Sequence, residues 1–478
     1  MNERHLLAAL LAATSLAACA AGPGYVAPAP PARAEADFIG AASPEVATSP
    51  AQADWWRLYD DPVLDALVSD ALAANTDIRV AVARIERARA SLRGTRSQIL
   101  PQTSIEGSGT YGRASQARTL PGADREGRTV DAGLSVSYEV DLFGRVSRGI
   151  EASRAGLGAA QEDADAVRVT VVADTVRAYV DAASYAEQLA VAQHTVDLLD
   201  RSVRITGARF ERGLNQKLDV IRVTQLRDEQ AAAIPAFQAQ RDAALFRLAT
   251  LTGKTPQDLP AAARERRTTP DVTQPIPVGD GRALLARRPD VRAAERRLAA
   301  DTAHIGVATA DLYPRITLGG SVGTTAVGAT DIFAGGPLRW LLGPLISWAF
   351  PNQEAIRARI GEAKADTKAD LAAFDGTVLH ALEETETALS AYRNALLHKQ
   401  QLASAREAAD RAAQVSIARQ SRGQIDALDV LDAQRTLAQS EAAYAQATQG
   451  VARAQVDLFR ALGGAWQDRP HAITSAAP

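Results

Sequence analysis

The chain has 478 residues, a mass of 50.5 kDa and a net charge of −3. A near-neutral balance leaves no global basic footprint for nucleic acid, and a single Cys can make neither an intramolecular disulfide nor a Cys-rich zinc site. The chain is 46% hydrophobic but only 5% aromatic; much of the apolar fraction is alanine, which favours close helix packing over a bulky globular core.

Arg4 and His5 precede an apolar stretch, Leu6 to Leu16, that is too short to span a bilayer. This predicts a secretory signal over residues 1–18. The signal ends in Leu16-Ala17-Ala18-Cys19, the pattern of a bacterial lipobox. The only cysteine is therefore expected to carry covalent lipid at the start of the mature chain. No other cofactor and no metal are expected, because the histidines show no ligand spacing. Residues 19–54 are rich in Pro and Ala and read as a lipidated, extended tether. Beyond residue 20 there is no apolar run of about 18 residues, so no membrane-spanning helix is expected.

The rest of the chain is written twice. Arg212-Gly213-Leu214-Asn215-Gln216-Lys217-Leu218-Asp219-Val220 matches Arg422-Gly423-Gln424-Ile425-Asp426-Ala427-Leu428-Asp429-Val430 at a shift of 210. Asp77-Ile78-Arg79 matches Asp290-Val291-Arg292 at a shift of 213, which also carries Leu100-Pro101 onto Tyr313-Pro314. The two copies are placed at 55–270 and 271–465, with a tail at 466–478. Each begins with a helix (about 76–98 and 289–312) that has Asp77 or Asp290 in its first turn, where a carboxylate favours the helix dipole.

Strand candidates follow, at 102–112 and 130–143, then at 315–323 and 338–350. Val130 to Leu142 alternates strictly: Val130, Ala132, Leu134, Val136, Tyr138, Val140 and Leu142 are apolar, and the residues between them are not. Period two places these sets on opposite faces of a strand. Aromatics gather in these segments: Tyr111, Tyr138, Phe143, Tyr313, Phe333, Trp340, Trp348 and Phe350. Alternating strands with aromatic ends describe an outer-membrane β-barrel. Pro344 weakens the last strand. Four strands cannot close a barrel and lipid forbids an open edge, so a membrane reading requires copies that share one barrel.

Long helices come next, at about 146–211 and 354–420. About 65 residues at 1.5 Å each span about 100 Å. Apolar residues at helical spacing, such as Val172, Val176, Tyr179, Val196, Leu199 and Val203, require a partner along the whole length. Returning helices at about 219–252 and 426–462 supply it, with hairpin turns at Gly213 and Gly423.

These features resemble the outer membrane factor family, the TolC/OprM-like exit ducts of tripartite efflux systems, and especially its lipoprotein members. The residues that carry the resemblance are Gly22-Pro23-x-Tyr25, Trp55-Trp56-Arg57-Leu58-Tyr59-Asp60-Asp61-Pro62-x-Leu64, Tyr138-Glu139-Val140-Asp141-Leu142-Phe143-Gly144-Arg145, Arg288-Pro289-Asp290-Val291-Arg292-x-Ala294-Glu295 and Leu428-Asp429-Val430-Leu431-Asp432-Ala433-Gln434-Arg435. Pro351-Asn352-Gln353-Glu354 departs from the family's usual turn before the second long helix. The resemblance implies a mainly α fold with a membrane β-barrel. Long α-helical hairpins would form a trimeric 12-helix periplasmic tunnel, and four strands per chain would contribute to a shared 12-stranded outer-membrane barrel. It implies a passive homotrimeric channel in outer-membrane lipid, served by a periplasmic adaptor and an inner-membrane pump of the RND or another type.

The resemblance also places a periplasmic gate at Leu428 and Asp432, which lie four apart on one helical face. At a shift of 210 these positions become Leu218 and Arg222, while Asp429 becomes Asp219. Arg222 is expected to pair with Asp432 or Asp429 and hold the closed state. The alternative reading is a periplasmic adaptor lipoprotein, which would need one hairpin where the sequence has two. The Gly253-Lys254-Thr255 fragment lacks the upstream glycine of a phosphate loop, and no nucleophile–base set is recognisable, so no enzyme is expected. The sequence does not specify the cargo.

Overall fold

Residues 20–464, except residue 123 and residues 327–337, are described in the computed structural model of the chain. The signal at 1–18, Cys19, Phe333 and the tail at 466–478 lie outside the described residues.

From the N-terminus come strand β1 (Val46–Ala47), helices α1 (Pro62–Ala74) and α2 (Thr76–Arg96), strands β2 (Gln102–Arg113) and β3 (Glu126–Val140), and helices α3 (Arg145–Glu211), α4 (Lys217–Ala231) and α5 (Ala233–Leu251). The second half runs β4 (Ile276–Pro277), α6 (Gly281–Arg287), α7 (Pro289–Ala310), β5 (Arg315–Ala326), β6 (Leu338–Ser347), α8 (Glu354–Ser421) and α9 (Ala427–Ala461). The repeat holds residue by residue. α2 and α7 begin 213 apart, β2 and β5 share both ends at that shift, and α3 and α8 end 210 apart.

β3 starts earlier and β5 ends later than predicted, at Glu126 and Ala326, and three further departures have a clear local cause. The first returning limb is not one helix. It breaks at Ala232, because Pro235 has no N–H to give the Ala231 carbonyl and its ring crowds that carbonyl. β3 ends at Val140, where Asp141 leaves the strand to accept hydrogen bonds from Val146 N and Ser147 N and so starts α3. β6 ends at Ser347, because Trp348 turns its indole N–H to the Leu312 carbonyl at 3.0 Å. The unusual Pro351-Asn352-Gln353 segment still starts α8: Asn352 Oδ1 accepts from Glu354 N, and Gln353 Nε2 donates to Leu312 O.

The chain divides into two compact units. One comprises residues 20–29, 84–160 and 293–374 and holds an antiparallel sheet in the order β2-β3-β5-β6. Its register places Ile105, Leu134, Val322 and Trp340 in one row on one face, all solvent-exposed in the single chain. The opposite face carries Ser104 hydrogen-bonded to Ser135, and Arg339 bonded to both Asp131 and Thr325. An apolar face without cover, backed by a polar face, is the pattern of a strand set between lipid and water. Pro344 sits in register with Leu318 on β6, an edge strand of this sheet, where a missing N–H is tolerated.

The other unit comprises residues 30–83, 161–292 and 375–464. Its core explains the tryptophan-rich motif. Trp55 stacks on Phe459 with ring centroids 4.5 Å apart. Asp61 is buried, caps α1 through Val63 N and Leu64 N, and accepts from the Tyr179 hydroxyl at 2.9 Å. Leu64, Leu67, Val68, Val172 and Val176 close around this point, each contributing about 2 kcal/mol of apolar burial. The stretch read as a tether is extended, but part of it is packed. Ala34 and Phe38 are buried, Glu386 accepts from Ile39 N and Gly40 N, and β1 pairs in parallel with β4. Its apolar side chains have a surface to bury against, which composition alone does not reveal.

In this unit each returning limb meets the start of a shorter helix. Asn75 caps α2 through Asp77 N and Ile78 N, and its amide donates to Leu251 O at the end of α5. At the equivalent place 213 residues on, Arg288 donates to Ala461 O at the end of α9 at 2.8 Å and pairs with Asp290 and Glu384. A cation on the last carbonyls of a helix meets the negative end of its dipole. Among the described residues no helix is long and apolar enough to cross a membrane.

Candidate gate at the hairpin tips

Both tips are built by the same backbone device. At the first, Gly213 N donates to Phe210 O and Leu214 N to Arg209 O. At the second, Gly423 N donates to Gln420 O and Gln424 N to Arg419 O. The left-handed φ of Gly213 (72°) and Gly423 (70°) permits each turn. The return limbs are then capped differently. Asp219 accepts from Gln216 N in a capping box, whereas Asp426 accepts from Leu428 N and Asp429 N.

Leu218 and Leu428 are 47% and 48% exposed, so the two equivalent leucines are equally uncovered in one chain. Asp432 is bonded by Arg435 one turn further along α9. Arg222 has no ion pair among the described residues, so the expected pairing with Asp432 or Asp429 is not made within the chain. Arg435 lies on the same helix at a spacing that favours contact, and it takes the Asp432 carboxylate first. Arg222 instead lines a crevice between the two hairpins, together with Asp219 and Leu428.

The hairpins are tied along their length through α3 and α9. Arg177 bonds Asp457, Asp181 bonds Arg453 at 2.6 Å, and Gln188 bonds Gln449 at 3.0 Å. The last tie before the tip is a reciprocal pair: Gln434 Nε2 donates to Ser202 Oγ at 2.9 Å, and Ser202 Oγ donates to Gln434 Oε1 at 3.2 Å. Tipward of it, among the described residues, no side-chain hydrogen bond joins α3 to α9. What remains there is the apolar lining of a crevice, including Ile205 and Leu428, and apolar association is non-directional. Gln434 lies in the motif read from sequence, but nothing local marks Ser202 as its partner. Nothing local marks Asn75 as the partner of Leu251 either, whereas Arg288 opens the Arg288-Pro289-Asp290 motif.

A second candidate region lies where the strands meet the helices. Phe143 and Tyr313 stack at 4.5 Å, as do Trp348 and Phe350 at 4.7 Å. Ala21 N donates to Phe143 O, and the Tyr25 hydroxyl donates to Glu295 at 2.5 Å. Burial and the Glu295 carboxylate push the Tyr25 hydroxyl well above its ordinary value. A Cβ on Gly22 would stand 2.5 Å from the Gly306 Cα, so the two backbones cross only because neither residue has a side chain. This explains the Gly22-Pro23-x-Tyr25 motif. The segment that follows Cys19 is seated beside the aromatic stack at the foot of the sheet.

No cluster of metal-ligating side chains occurs among the described residues. A sequence profile of the family described as outer membrane efflux protein matches residues 67–254 and 281–464. Outer membrane protein OprJ of Pseudomonas aeruginosa is 31% identical over 467 residues, covering 97% of this chain and 96% of OprJ. The solved structure of the outer-membrane channel OprN superposes with a TM-score of 0.87 at 37% identity, covering 94% of this chain and 100% of that one. The open state of the MtrE outer membrane channel of Neisseria gonorrhoeae superposes with a TM-score of 0.81 at 28% identity, covering 93% and 98%. By this profile match across both repeats, the chain belongs to the outer membrane efflux protein family.

Proposed function

We propose that three copies of the chain form one passive exit duct, gated at the hairpin tips. The sheet carries this reading. It has an uncovered apolar face and two unpaired edges, β2 and β6, and unpaired edges are not tolerated in lipid. Pairing β6 of one copy with β2 of the next satisfies both edges, and three copies give a closed barrel of about twelve strands. The duct conducts small molecules loaded by an inner-membrane pump through a periplasmic adaptor. The chain has no catalytic task in this scheme. Native mass spectrometry of the full chain extracted from outer membranes tests it. The expected mass is three chains, and a monomer would contradict the shared barrel.

Three copies also bring Leu428 and Asp432 into rings, apolar and anionic, that close the periplasmic end. Among the described residues no side-chain hydrogen bond joins α3 to α9 tipward of Ser202 and Gln434, which supports this end as the part that moves. The existence of a relative solved in an open state is in keeping with a channel that has two states. Cys19 carries the lipid. The seat of Ala21 and Tyr25 at the aromatic stack supports that role, because it brings the mature N-terminus to the level where the sheet gives way to helices.

A further inference from the structure

Apart from Leu428, which it shares with the gate, the crevice between the two hairpins has no part in conduction. Leu199, Ile205 and Val223 of the first hairpin face Ile417, Leu431 and Leu437 of the second across it. Its wall on α9 runs from Leu428 to Glu441, about 20 Å at 1.5 Å per residue. The polar groups in it are unevenly placed. Arg201 stands near its middle and Arg222 toward the tip, and neither has an ion pair among the described residues. The neighbouring carboxylate of Asp219 is already engaged by Gln216 N. Glu441 closes the other end. Burial, more than any neighbour, raises its carboxyl above the ordinary range; His194, Arg406 and a hydrogen bond with Thr195 oppose the rise, and Asp410 adds to it.

We propose that this crevice is a binding site for an elongated amphiphile with an apolar body and one anionic head. The body lies along Leu199, Leu431 and Leu437, and the head meets the guanidinium groups of Arg201 and Arg222, whose planar forks suit a carboxylate or sulfonate. The walls come from both hairpins. An occupant therefore gains its full contact only while α3 and α9 lie side by side, and it shifts the population toward that arrangement. This consequence rests on the reading that the hairpins part at the tip; the site itself does not.

The test uses the full chain reconstituted in lipid bilayers, with 1-anilinonaphthalene-8-sulfonate as the anionic probe and neutral N-phenyl-1-naphthylamine as its control. Fluorescence titration should show a saturable site for the sulfonate. The double variant Arg201→Ala/Arg222→Ala should weaken it about a hundredfold, the effect of losing two charge-assisted contacts at about tenfold each. Leu431→Trp, which fills the slot, should abolish it. Equal binding by all three proteins would overturn the site, and so would a neutral probe that binds as tightly as the sulfonate. Absence of saturable binding also overturns it, since a neighbouring copy then occupies the crevice. Single-channel recording separates the two readings. Fewer openings with the sulfonate support both, whereas tight binding with unchanged opening supports the site and contradicts parting of the hairpins there.

Discussion

At the first tip Gly213 turns the chain and Lys217 begins the return limb; at the second, Gly423 and Ala427 do the same 210 residues later, with matching closing hydrogen bonds. The side chains on this common frame differ. The first limb is broken at Ala232 and carries an exposed Arg222 with no ion pair among the described residues. The second is one continuous helix and carries Asp432, bonded to Arg435. The junctions differ in the same way: a neutral Asn75 ends the first limb and a charged, buried Arg288 ends the second. The turn chemistry fixes the backbone of both copies, and the side chains are left to divide the work between frame and gate.

The largest expected contrast lies at the junctions. Arg288→Ala removes a buried guanidinium and leaves the Ala461 carbonyl and two carboxylates without it, a loss of about 3 kcal/mol. Asn75→Ala removes a neutral cap and one hydrogen bond, about 1–2 kcal/mol. Thermal unfolding of the two variants compares them directly. Equal shifts would mean that the junctions are interchangeable and that the asymmetry between the repeats is superficial.

A smaller contrast concerns pH. Glu441 on the second hairpin has Ala231 as its counterpart on the first. The folded protein holds the Glu441 proton more tightly than the unfolded chain does, chiefly because of burial. Its contribution is therefore fully present below the ordinary carboxylate pKa and is lost as pH rises through the raised value. Acidification from about pH 7.5 to about pH 5 should therefore raise the thermal midpoint. Glu441→Gln should flatten this response. An unchanged pH profile in the variant would remove Glu441 from the packing of the second hairpin.

Much of this was legible in the sequence, because the signals are local or periodic. Gly213 and Gly423 marked turns, Val130 to Val140 marked a two-faced strand, and the 210 and 213 shifts placed the elements nearly to the residue. The break at Ala232 was also local, since Pro235 was there to be read. The missed parts are contacts between distant residues. Nothing near Ser202 names Gln434, nothing near Asn75 names Leu251, and the packing of Phe38 depends on surfaces that form only once the helices are in place. The pairing expected for Arg222 is not made within the single chain, where Arg435, three residues from Asp432, is bonded to that carboxylate.

The division between gate and frame is tested most directly by single-channel conductance of the reconstituted chain. Leu428→Ala/Asp432→Ala on the second hairpin is compared with Leu218→Ala/Arg222→Ala at the equivalent positions of the first. The expected result is a marked rise in closed-state conductance for the second-hairpin pair and a much smaller rise for the first. Equal rises, or no rise in either, would contradict a constriction formed by Leu428 and Asp432.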